Sequence, residues 1–586
     1  MAGDQGGGTG HDGSRGWCDR EHLLGRGPHR CTRLSPLRRV EGRGRGHHQG
    51  RGTRTRPAGN PGQRGCPRPG RQRVDPGAQL ARLPHFRRAE PFAGPPDDAR
   101  RPRRHGHLAG IAGGAVRHRA DRDRRRRAGV RVNLRAWLDD LRRHGQLGEV
   151  RSRITPDQDV AAVLEHADGS SAVLFTDVEG SEFPLAGNLV PGRDALARAA
   201  GCAPAELAGR YAQALREPRP CTVIDAAQAP VFRHRLHGDV LSRLPLTVQH
   251  EHDAGYYLTA GLVLVRDPVS GKTNLSINRM QVVGDRRLGV LVLPGRLRRI
   301  LGEAESRGQD LDLAIVVGVD PLLGLASQAP ADREIDDLEV ASALRATPLP
   351  VAPCPGSGLL VPAEAEFVLE ARFRANQRVQ EGPFGEFPRT YGPAGSAPLV
   401  EVLSCRHRPD AVFQTILSGG REHFLLGGIP REATLLRTLR EAHFDVTSVR
   451  LTEAGSCRLH AIVALRAPGP GVGVNALLIT LGALTTVKHA IVVDDDVDIF
   501  DDEQVGWAMA TRVQADRDVV IIPGARGSSL DPSSAGTTAK MGINATAPAT
   551  DRDRHARMRT APKDPGKLDR YLVELSRRDA TGDGVD

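Results

Sequence analysis

Two glutamates, Glu381 and Glu386, lie five residues apart in the stretch EGPFGEFPRTY, residues 381–391. Glycine and proline between them predict a loop of fixed shape, and its two phenylalanines favour burial. Two carboxylates held close together can act as an acid/base pair, because burial, mutual repulsion and a nearby arginine drive their pKa values apart. The same spacing fits a pair of surface acids, or a buried salt bridge with Arg279 or Arg389. The residues alone leave these interpretations open.

A second polar stretch, TNLSINRMQ at residues 273–281, lies between apolar segments. Asn274 offers an amide oxygen to a hard cation, and Arg279 offers a planar guanidinium to a carboxylate. In one regular strand these two side chains point to opposite faces, so they can serve one ligand only if the strand bends or the ligand wraps its edge. An ordinary exposed strand face explains the residues equally well.

Two stretches in the last third of the chain carry further candidate ligands. The acids of VVDDDVD, residues 492–498, follow an apolar strand, where α/β sheets place ligands, but helix caps and turns explain them equally well. The stretch GTTAKMGINAT, residues 536–546, combines small residues, hydroxyls and Lys540 and suits an anionic group such as phosphate, although a solvated loop is the simpler explanation. Neither a P-loop nor a G-x-G-x-x-G motif is present, so ATP and ordinary dinucleotide sites are unsupported.

Charge is divided unevenly along the chain. The formal net charge is +12, but residues 1–130 hold 30 Arg, no Lys and 11 acidic residues, and the remainder is mildly acidic at −7. Because this Gly- and Pro-rich stretch lacks hydrophobic periodicity, we expect a disordered extension. It fits an over-extended gene start, a tail, or an arm that binds nucleic acid through phosphates. The absence of Lys and of interleaved aromatic residues disfavours the nucleic-acid arm.

Cysteine usage and hydropathy narrow the class of protein. Eight cysteines are scattered without a C-x-x-C pair, as in a reduced protein with neither a zinc knuckle nor a disulfide framework. No run of about 18 apolar residues and no signal-peptide pattern is present, so the sequence predicts no membrane partner. We therefore expect a cytoplasmic location.

Hydrophobic periodicity predicts the elements that must position these residues. Asn133 is a candidate N-cap for an amphipathic helix whose apolar face is Leu134, Trp137, Leu138 and Leu141. Residues 257–293 predict an antiparallel meander with TNLSINRMQVV as its middle strand. A helix is predicted over residues 296–308, a buried strand over 311–321, and an alternating β-α-β-α-β pattern, typical of an open α/β sheet, towards the C-terminus.

Eight blocks of the sequence, taken in order, resemble the UbiD-type decarboxylases, which use prenylated flavin mononucleotide (prenylated FMN). The blocks are DAGYYLTAGLVLVRDP, NLSINRMQ, GVDP, LLVPAEAEFVLEA, EGPFGEFP, VVDDDVD, WAMATRVQADRDVVIIPG and KMGINAT. The resemblance spans about residues 133–575. It implies a fold of the α+β or α/β class, in which a split β-barrel that binds flavin is joined to an α/β domain, in a homodimer or higher homo-oligomer.

The resemblance and the composition together predict four regions. They are a disordered extension at residues 1–130, an N-terminal α/β segment at 131–240, a β-rich prenylated-FMN-binding domain at 241–400, and a C-terminal α/β domain at 401–586. The last region is expected to carry the cofactor-phosphate loop and a C-terminal helix.

The resemblance implies reversible, non-oxidative decarboxylation of an aromatic, heteroaromatic or α,β-unsaturated carboxylic acid through a covalent adduct with prenylated FMN. The family's catalytic set falls on Arg279, Glu381 and Glu386. Glu386 is the implied proton donor, and Glu381 is the implied partner of Arg279, which also contacts the cofactor. A flavin prenyltransferase would supply that cofactor. A non-catalytic homologue serving as a subunit of a larger carboxylase is the alternative.

At the phosphate end, the resemblance implies a divalent metal, with manganese favoured, and also potassium. Asn274 matches one metal ligand, and Asp336 falls where a glutamate usually lies, with Asp337 as a rival. The histidine of some branches is absent, since Arg296 and Leu297 stand there. The residues implied to contact the cofactor are Asn274, Ser276, Ile277, Asn278, Arg279, Arg296 and Lys540.

The substrate pocket is expected along SGGREHFLLGGIPRE, residues 418–432. Leu425, Leu426 and Ile429 would favour an apolar ring in that pocket. Neither the identity of the substrate nor the physiological direction of the reaction can be read from these residues.

Overall fold

The computed structural model describes residues 133–330, 332–534 and 536–558, with residues 560, 564, 567, 568 and 570–573. The predicted extension at residues 1–130 lies outside the described residues. Within the described part of the chain, no helix is both long and apolar enough to cross a membrane. The architecture is a mixture of helices and sheets, as predicted.

The helices begin with the one predicted after Asn133, whose side-chain oxygen accepts a hydrogen bond from the Ala136 N–H at 2.9 Å. Its predicted apolar face is buried. The α-helices of the described residues are α1 (Leu134–Arg143), α2 (Asp159–Ala167), α3 (Arg193–Ala200), α4 (Leu207–Arg216), α5 (Arg296–Ser306), α6 (Pro321–Ala326), α7 (Asp337–Leu344), α8 (Arg421–Glu441), α9 (Val472–Ala483) and α10 (Asp502–Arg512). Single-turn 3-10 helices are Pro204–Glu206, Ala226–Gln228, Pro230–Phe232, Leu241–Arg243 and Asp553–His555.

The strands of the described residues fall into five sheets. They are β1 (Leu147–Val150), β2 (Ala172–Phe175), β3 (Leu185–Gly187), β4 (Thr222–Val223), β5 (His234–Leu236), β6 (Tyr257–Leu258), β7 (Leu262–Arg266), β8 (Thr273–Ile277), β9 (Met280–Gly284), β10 (Arg287–Val290), β11 (Leu311–Val317), β12 (Pro350–Pro353), β13 (Leu360–Pro362), β14 (Phe367–Glu381), β15 (Phe384–Gly385), β16 (Tyr391–Gly392), β17 (Gly395–His407), β18 (Phe413–Gln414), β19 (Val446–Leu451), β20 (His460–Leu465), β21 (His489–Asp494), β22 (Val519–Ala525) and β23 (Thr538–Ala545). The predicted buried strand over residues 311–321 is β11, and the predicted helix over 296–308 is α5.

The largest sheet runs in the order β6-β9-β10-β17-β14-β11-β7-β8, with β5 paired to β17. β8 pairs with β7 at one end, whereas β9 pairs with β6 and β10 at the other. Only Asn278 and Arg279 connect Ile277 at the end of β8 to Met280 at the start of β9. These three steps of chain span at most about 11 Å, so the two ends of the sheet must lie side by side. The sheet is therefore curled into a split barrel, with apolar side chains such as Val263, Ile315 and Leu369 in its core.

The predicted middle strand of the meander is wrong, because residues 273–283 form two strands instead of one. The break has a local cause in Asn278. Its side-chain oxygen accepts a hydrogen bond from the Ser276 hydroxyl at 2.8 Å, and its Nδ2 donates to the Leu291 carbonyl at 3.0 Å. These bonds hold the chain where it crosses from one end of the sheet to the other. We call residues 278–279 the seam.

The C-terminal part forms the predicted open α/β sheet, in the order β19-β20-β21-β23-β22. The three central strands are parallel, and β19 and β22 are antiparallel to their neighbours. The long helix α8 precedes this sheet in the chain and packs against β19. Apolar residues of α8 share one core with residues of the split barrel, so the helix is fixed against both.

Candidate active site

The three residues of the proposed catalytic set come together at the seam. Arg279 follows β8, Glu381 ends β14, and Glu386 follows β15. Arg279 Nη2 donates to Glu381 Oε2 at 2.8 Å, and its Nη1 donates to Glu386 Oε1. The side chains are 10%, 2% and 12% exposed, respectively. Asn274 and Arg279 can share a ligand only if the strand bends between them. That bend is present, because β8 ends at Ile277, before Arg279.

Glu381 is fixed by a hydrogen-bond network that the sequence did not reveal. The Tyr257 hydroxyl lies 3.2 Å from Glu381 Oε1 and also 3.2 Å from Gln281 Oε1. Gln281 Oε1 in turn accepts from the Gly382 N–H at 2.9 Å. Burial and the nearby Glu381 raise the pKa of Tyr257, so its hydroxyl stays protonated and can donate. This network ties the end of β14 to β6 and β9.

Glu386 is the carboxyl group whose protonation burial favours. Burial raises its pKa, and the charge of Glu381 acts in the same direction. Arg279, the backbone N–H of Phe387 and Arg458 oppose the rise but do not cancel it. A carboxyl group with a raised pKa is more often protonated near neutral pH, as a general acid requires.

The loop that presents Glu386 has the fixed shape predicted from its composition. Gly382 has φ +83°, and a Cβ there would lie 3.2 Å from the Pro393 carbonyl oxygen, so both conformation and space require glycine. Phe384 and Phe387 are buried, as predicted. The alternative partner Arg389 is exposed, and its Nε donates to the Gly419 carbonyl at 3.0 Å.

The two phenylalanines wall different parts of the site. The Phe384 ring centroid lies 5.2 Å from Arg279 Cζ and 4.3 Å from the Tyr257 ring centroid. Phe387 lies under Arg458, whose Cζ is 5.6 Å from the ring centroid. Phe384 therefore packs against the arginine side of the cluster, and Phe387 lies next to Glu386 along the chain.

The predicted metal ligands are hydrogen-bonded to other groups of the protein. Asn274 Oδ1 accepts from Arg296 Nε at 2.9 Å. Asp336 is the N-cap of α7, and its two oxygens accept from the Leu338 N–H at 3.1 Å and the Thr273 N–H at 2.9 Å. Its rival Asp337 is buried and contacts Arg296 Nη2. In the described residues, no group of three or more His, Cys, Asp or Glu side chains could hold a metal ion. These residues do not fit the expected divalent metal.

A flavin fits the segment of residues 274–279 better than a metal ion does, because two of its buried N–H donors are unused by any described residue. Arg279 Nε and Asn274 Nδ2 are buried and have no hydrogen-bond partner among the described residues. Of the other predicted contacts on this segment, Ser276 and Asn278 brace the seam through their side chains, and Ile277 packs against the apolar core. A bound cofactor can take up both free donors.

Lys540 lies in a different local network. Its Nζ donates to the carbonyls of Leu481, Leu484 and Thr485, at 2.6, 3.3 and 3.2 Å, at the C-terminal end of α9. Burial lowers its pKa. Its three hydrogens can therefore be used by the helix end, and the predicted phosphate contact of Lys540 stays a prediction.

The acids of VVDDDVD are engaged by arginines. Asp494 accepts from Arg512 Nη1 at 3.0 Å and from Arg552 Nη1 at 2.7 Å, and Asp496 accepts from Arg512 Nη2 at 2.7 Å. Asp498 accepts from the Phe500 N–H at 3.0 Å, as in a turn. The turn and ion-pair interpretation of these residues is the one the contacts support.

A basic face of α8 and a neighbouring arginine were not anticipated. His423 and Arg431 are partly accessible, whereas the expected pocket residues Leu425, Leu426 and Ile429 are buried in the core and do not line an open pocket. His423, Gly427 and Arg431 recur every four residues and so share one side of the helix. This stripe was the available signal, but leucines and a proline between its members obscured it.

Arg458 lies over the same face of α8. A Cβ on Gly427 would lie 1.7 Å from Arg458 Nη2, so the helix carries glycine where the arginine crosses it. Arg458 Nη1 donates only to backbone, to the carbonyls of Phe424 and Cys457 at 3.2 Å each. Arg431 Nη1 donates to the Gly427 carbonyl. Within the described residues, neither arginine forms an ion pair with a carboxylate.

Comparison with known proteins identifies the class of enzyme. Three models of the 3-octaprenyl-4-hydroxybenzoate carboxy-lyase match consecutive parts of the chain: the N-terminal domain matches residues 138–215, the Rift-related domain 222–421, and the C-terminal domain 424–545. The chain belongs to this family, the UbiD family, and is a carboxy-lyase of the flavin-dependent, prenylated-FMN type.

Several relatives support this conclusion. The anhydromevalonate phosphate decarboxylase of Methanothermobacter thermautotrophicus is 35% identical over 72% of this chain and 99% of its own. A phenolic acid decarboxylase of Streptomyces sp. is 30% identical over 76% of this chain and 98% of its own. The UbiD-class enzyme HmfF from Pelotomaculum thermopropionicum has been solved with FMN (TM-score 0.72, 42% identity, covering 74% of this chain and 98% of HmfF). An evolved dimeric form of HmfF was solved with prFMN (TM-score 0.69, 39% identity, the same coverage). The predicted fold class is thereby confirmed.

Proposed function

We propose that this chain catalyses the reversible, non-oxidative decarboxylation of an aromatic, heteroaromatic or α,β-unsaturated carboxylic acid with prenylated FMN. The observation that supports it is one guanidinium, that of Arg279, held by Glu381 and Glu386 in a pocket nearly closed to water. Prenylated FMN, when bound, supplies an acceptor for the electron pair of the breaking carbon–carbon bond. The protein must place the acid, exclude water and deliver one proton to the carbon that loses carbon dioxide.

Glu386 is the proposed proton donor. One proton replaces the departing carbon dioxide on the substrate carbon, and Glu386 is the carboxyl group whose pKa burial raises. Its side chain is 12% exposed, whereas that of Glu381 is 2% exposed, so Glu386 is the one a pocket ligand can reach. Glu381 is proposed to orient the guanidinium of Arg279, with the Tyr257 hydroxyl holding its other oxygen.

The seam is the proposed binding site for the flavin. Arg279 Nε and Asn274 Nδ2 are buried donors that lack a partner in the part of the chain that the structure describes, and we propose that they donate to acceptor atoms of the bound cofactor. Ser276, Ile277 and Asn278 lie between them in the chain and would form the adjacent wall.

The test is to express the chain together with a flavin prenyltransferase and to measure the bound cofactor by mass and absorption. Glu386→Gln should keep the cofactor and lose decarboxylation by about 10²-fold or more, because glutamine has no proton to give. Glu441→Gln, at an exposed position of α8, is the matched control and should keep full activity.

Two results would contradict the proposal in different ways. Undiminished turnover by Glu386→Gln would remove Glu386 from its role. Cofactor that binds without carbon dioxide release from any acid tested would favour the alternative, a non-catalytic subunit of a larger carboxylase.

We further propose that the substrate carries a second anionic group, bound by Arg431 and Arg458. The charge of Arg431 acts on Arg458, so the two guanidiniums repel each other. In the described residues their hydrogen bonds go to backbone carbonyls and not to a carboxylate. Burial and these two arginines lower the pKa of His423 to about 3, so its imidazole is neutral. His423 Nδ1 accepts from the Gly419 N–H at 3.2 Å, which places the ring proton on Nε2 as a further donor.

This cluster lies beside the proposed proton donor, because Arg458 packs over Phe387 and its charge acts on Glu386. One buried and one half-buried guanidinium, with an N–H donor beside them, need more negative charge than a single carboxylate supplies. One relative is named for anhydromevalonate phosphate, an acid that carries a phosphate as a second anionic group. Another is named for phenolic acids, a name that includes no second anionic group.

Matched pairs of acids test the second group. Cinnamate and 4-carboxycinnamate, sorbate and muconate, and benzoate and terephthalate each differ by one carboxylate. We expect kcat/KM to be about tenfold or more higher for the dianion of the pair that is turned over. Arg431→Gln should abolish that preference, whereas Arg437→Gln, exposed on the same helix, should keep it. Equal kcat/KM within each pair, or a preference for 4-hydroxycinnamate over 4-carboxycinnamate, would contradict the proposal.

A further inference from the structure

Arg296, the first residue of α5, is buried and uses every donor it has. Its Nε donates to Asn274 Oδ1 at 2.9 Å, and its Nη2 donates to Asp337 Oδ2 and to the Thr273 carbonyl at 3.2 Å. Its Nη1 donates to the backbone carbonyls of residues 332 and 335. A guanidinium has five N–H groups, so all five are matched by oxygen acceptors.

The oxygens around Arg296 are of the kind that hold hard divalent cations. An amide oxygen, a carboxylate oxygen and backbone carbonyls all converge on its guanidinium. A metal ion could not share this position, because the lone pairs of Asn274 Oδ1 and Asp337 Oδ2 are already directed at a cation. Asp337 Oδ1 is buried and has no hydrogen-bond partner within the described residues. One carboxylate oxygen, however, supplies a single ligand where Mg²⁺ or Mn²⁺ takes about six.

Arg296 also decides which way the Asn274 amide faces. A guanidinium only donates, so the Asn274 atom that it contacts must be the oxygen. Asn274 Nδ2 is consequently turned away from Arg296, and it is buried with no hydrogen-bond partner in the described part of the chain. An amide N–H is a donor and suits an anionic phosphate directly. The opposite orientation, with the oxygen outward, would suit a metal ion.

We infer that the Arg296 guanidinium takes the place of the divalent cation, so that the phosphate end of the flavin site binds its ligand without a metal. Arg296 is a positioning residue in this arrangement: it neutralises Asp337 and turns the Asn274 amide, and Asn274 Nδ2 donates to the phosphate. The inference rests on the proposed function, since it requires the flavin to bind at the seam.

The test uses FMN, measured by quenching of its fluorescence on binding to the full chain. After treatment with EDTA, the Kd for FMN should stay within about twofold of the value with added Mn²⁺ or Mg²⁺. Metal analysis of the flavin-loaded protein should find far less than one Mn²⁺ per flavin. If EDTA abolishes FMN binding and Mn²⁺ restores it, the inference is overturned while the proposed flavin site stands. No FMN binding with or without metal would overturn both.

A variant tests the residue itself. Arg296→Ala should weaken FMN binding by about tenfold or more, and added guanidinium ion or Mn²⁺ should restore part of the affinity, because either cation can occupy the vacated oxygens. Arg298→Ala, exposed on the same helix, is the matched control and should respond to neither. A loss of affinity in Arg296→Ala that no cation relieves would contradict the replacement. The measurement on the unaltered chain decides the inference if the variant does not fold.

Discussion

Glu386 and Glu381 contact the same arginine in different surroundings, and the roles proposed for them differ accordingly. Both contact Arg279, yet Glu381 is closed off behind Tyr257 while Glu386 keeps some exposure. Burial and the charge of Glu381 raise the pKa of Glu386, and the opposing effects of Arg279, the Phe387 N–H and Arg458 do not cancel this rise. The proposed division of roles therefore depends on the surroundings of each carboxyl group and not on the five-residue spacing that first paired them.

The raised pKa of Glu386 predicts the pH dependence of decarboxylation. A proton donor works only in its protonated form, so kcat/KM should be constant at low pH and fall about tenfold per pH unit above the pKa of Glu386. Tyr257 and His423 should not contribute to the pH dependence near neutral pH. The pKa of Tyr257 is raised, and that of His423 is lowered to about 3. The measurement is kcat/KM against pH with the flavin-loaded enzyme. Activity that rises with pH through this range would show that Glu386 acts as a base.

Among the helices and strands, those whose formation depends on local residue patterns were predicted from the sequence. The helix α1 was predicted because Leu134, Leu138 and Leu141 face one way and Asn133 can cap it. The split of residues 273–283 into β8 and β9 was not predicted, because no glycine or proline marks it. The signal that was present is a change of phase: the apolar positions are Leu275 and Ile277 before the break, and Met280 and Val282 after it. Asn278 holds the break through hydrogen bonds to Ser276 and to the Leu291 carbonyl, and the second of these bonds depends on residues that follow β10.

The candidate site, like the elements, was predicted only in part from the sequence. Spacing offered Arg279 as one of several partners for Glu381 and Glu386, and the family resemblance selected it. The pairing of Arg431 with Arg458 could not be predicted, because residues on α8 and after β19 meet only through packing. Asp336 was favoured over Asp337 as the metal ligand, but Asp336 caps α7. Asp337 is the one of the two that contacts Arg296. A sequence pattern does not distinguish a capping acid from its neighbour.

Lys540 provides a test at the level of one helix end. Because its ammonium donates to three carbonyls at the end of α9, Lys540→Met should lower the free energy of unfolding of the flavin-free protein by about 1–3 kcal/mol. The measurement is urea unfolding without cofactor, with Lys272→Met as the control at a more exposed lysine. An unchanged unfolding midpoint together with weaker FMN binding would instead assign Lys540 to the phosphate.

For the whole molecule, the uneven charge and the start of α1 make a prediction about residues 1–130. Asn133 caps α1 through its own side chain, and the buried face of α1 packs against β2 and β3, so the first described helix needs no contact from upstream. A chain of residues 131–586 should therefore match the full chain in Tm and bind FMN with a Kd within about twofold. Its net charge near neutral pH becomes negative, so it should also lose any salt-sensitive binding of RNA that the full chain shows.

The outcomes separate a nucleic-acid-binding arm from the other two origins considered for that stretch. Equal stability, equal flavin affinity and no RNA binding by either chain fit an over-extended start or a passive tail. RNA binding by the full chain alone, weakening steeply with added salt, would identify an arm that acts through phosphate contacts, because each such contact releases a condensed counterion. Loss of flavin binding on shortening would contradict the expectation that the site is complete within residues 133–573, since every contact described at the seam joins residues of that range.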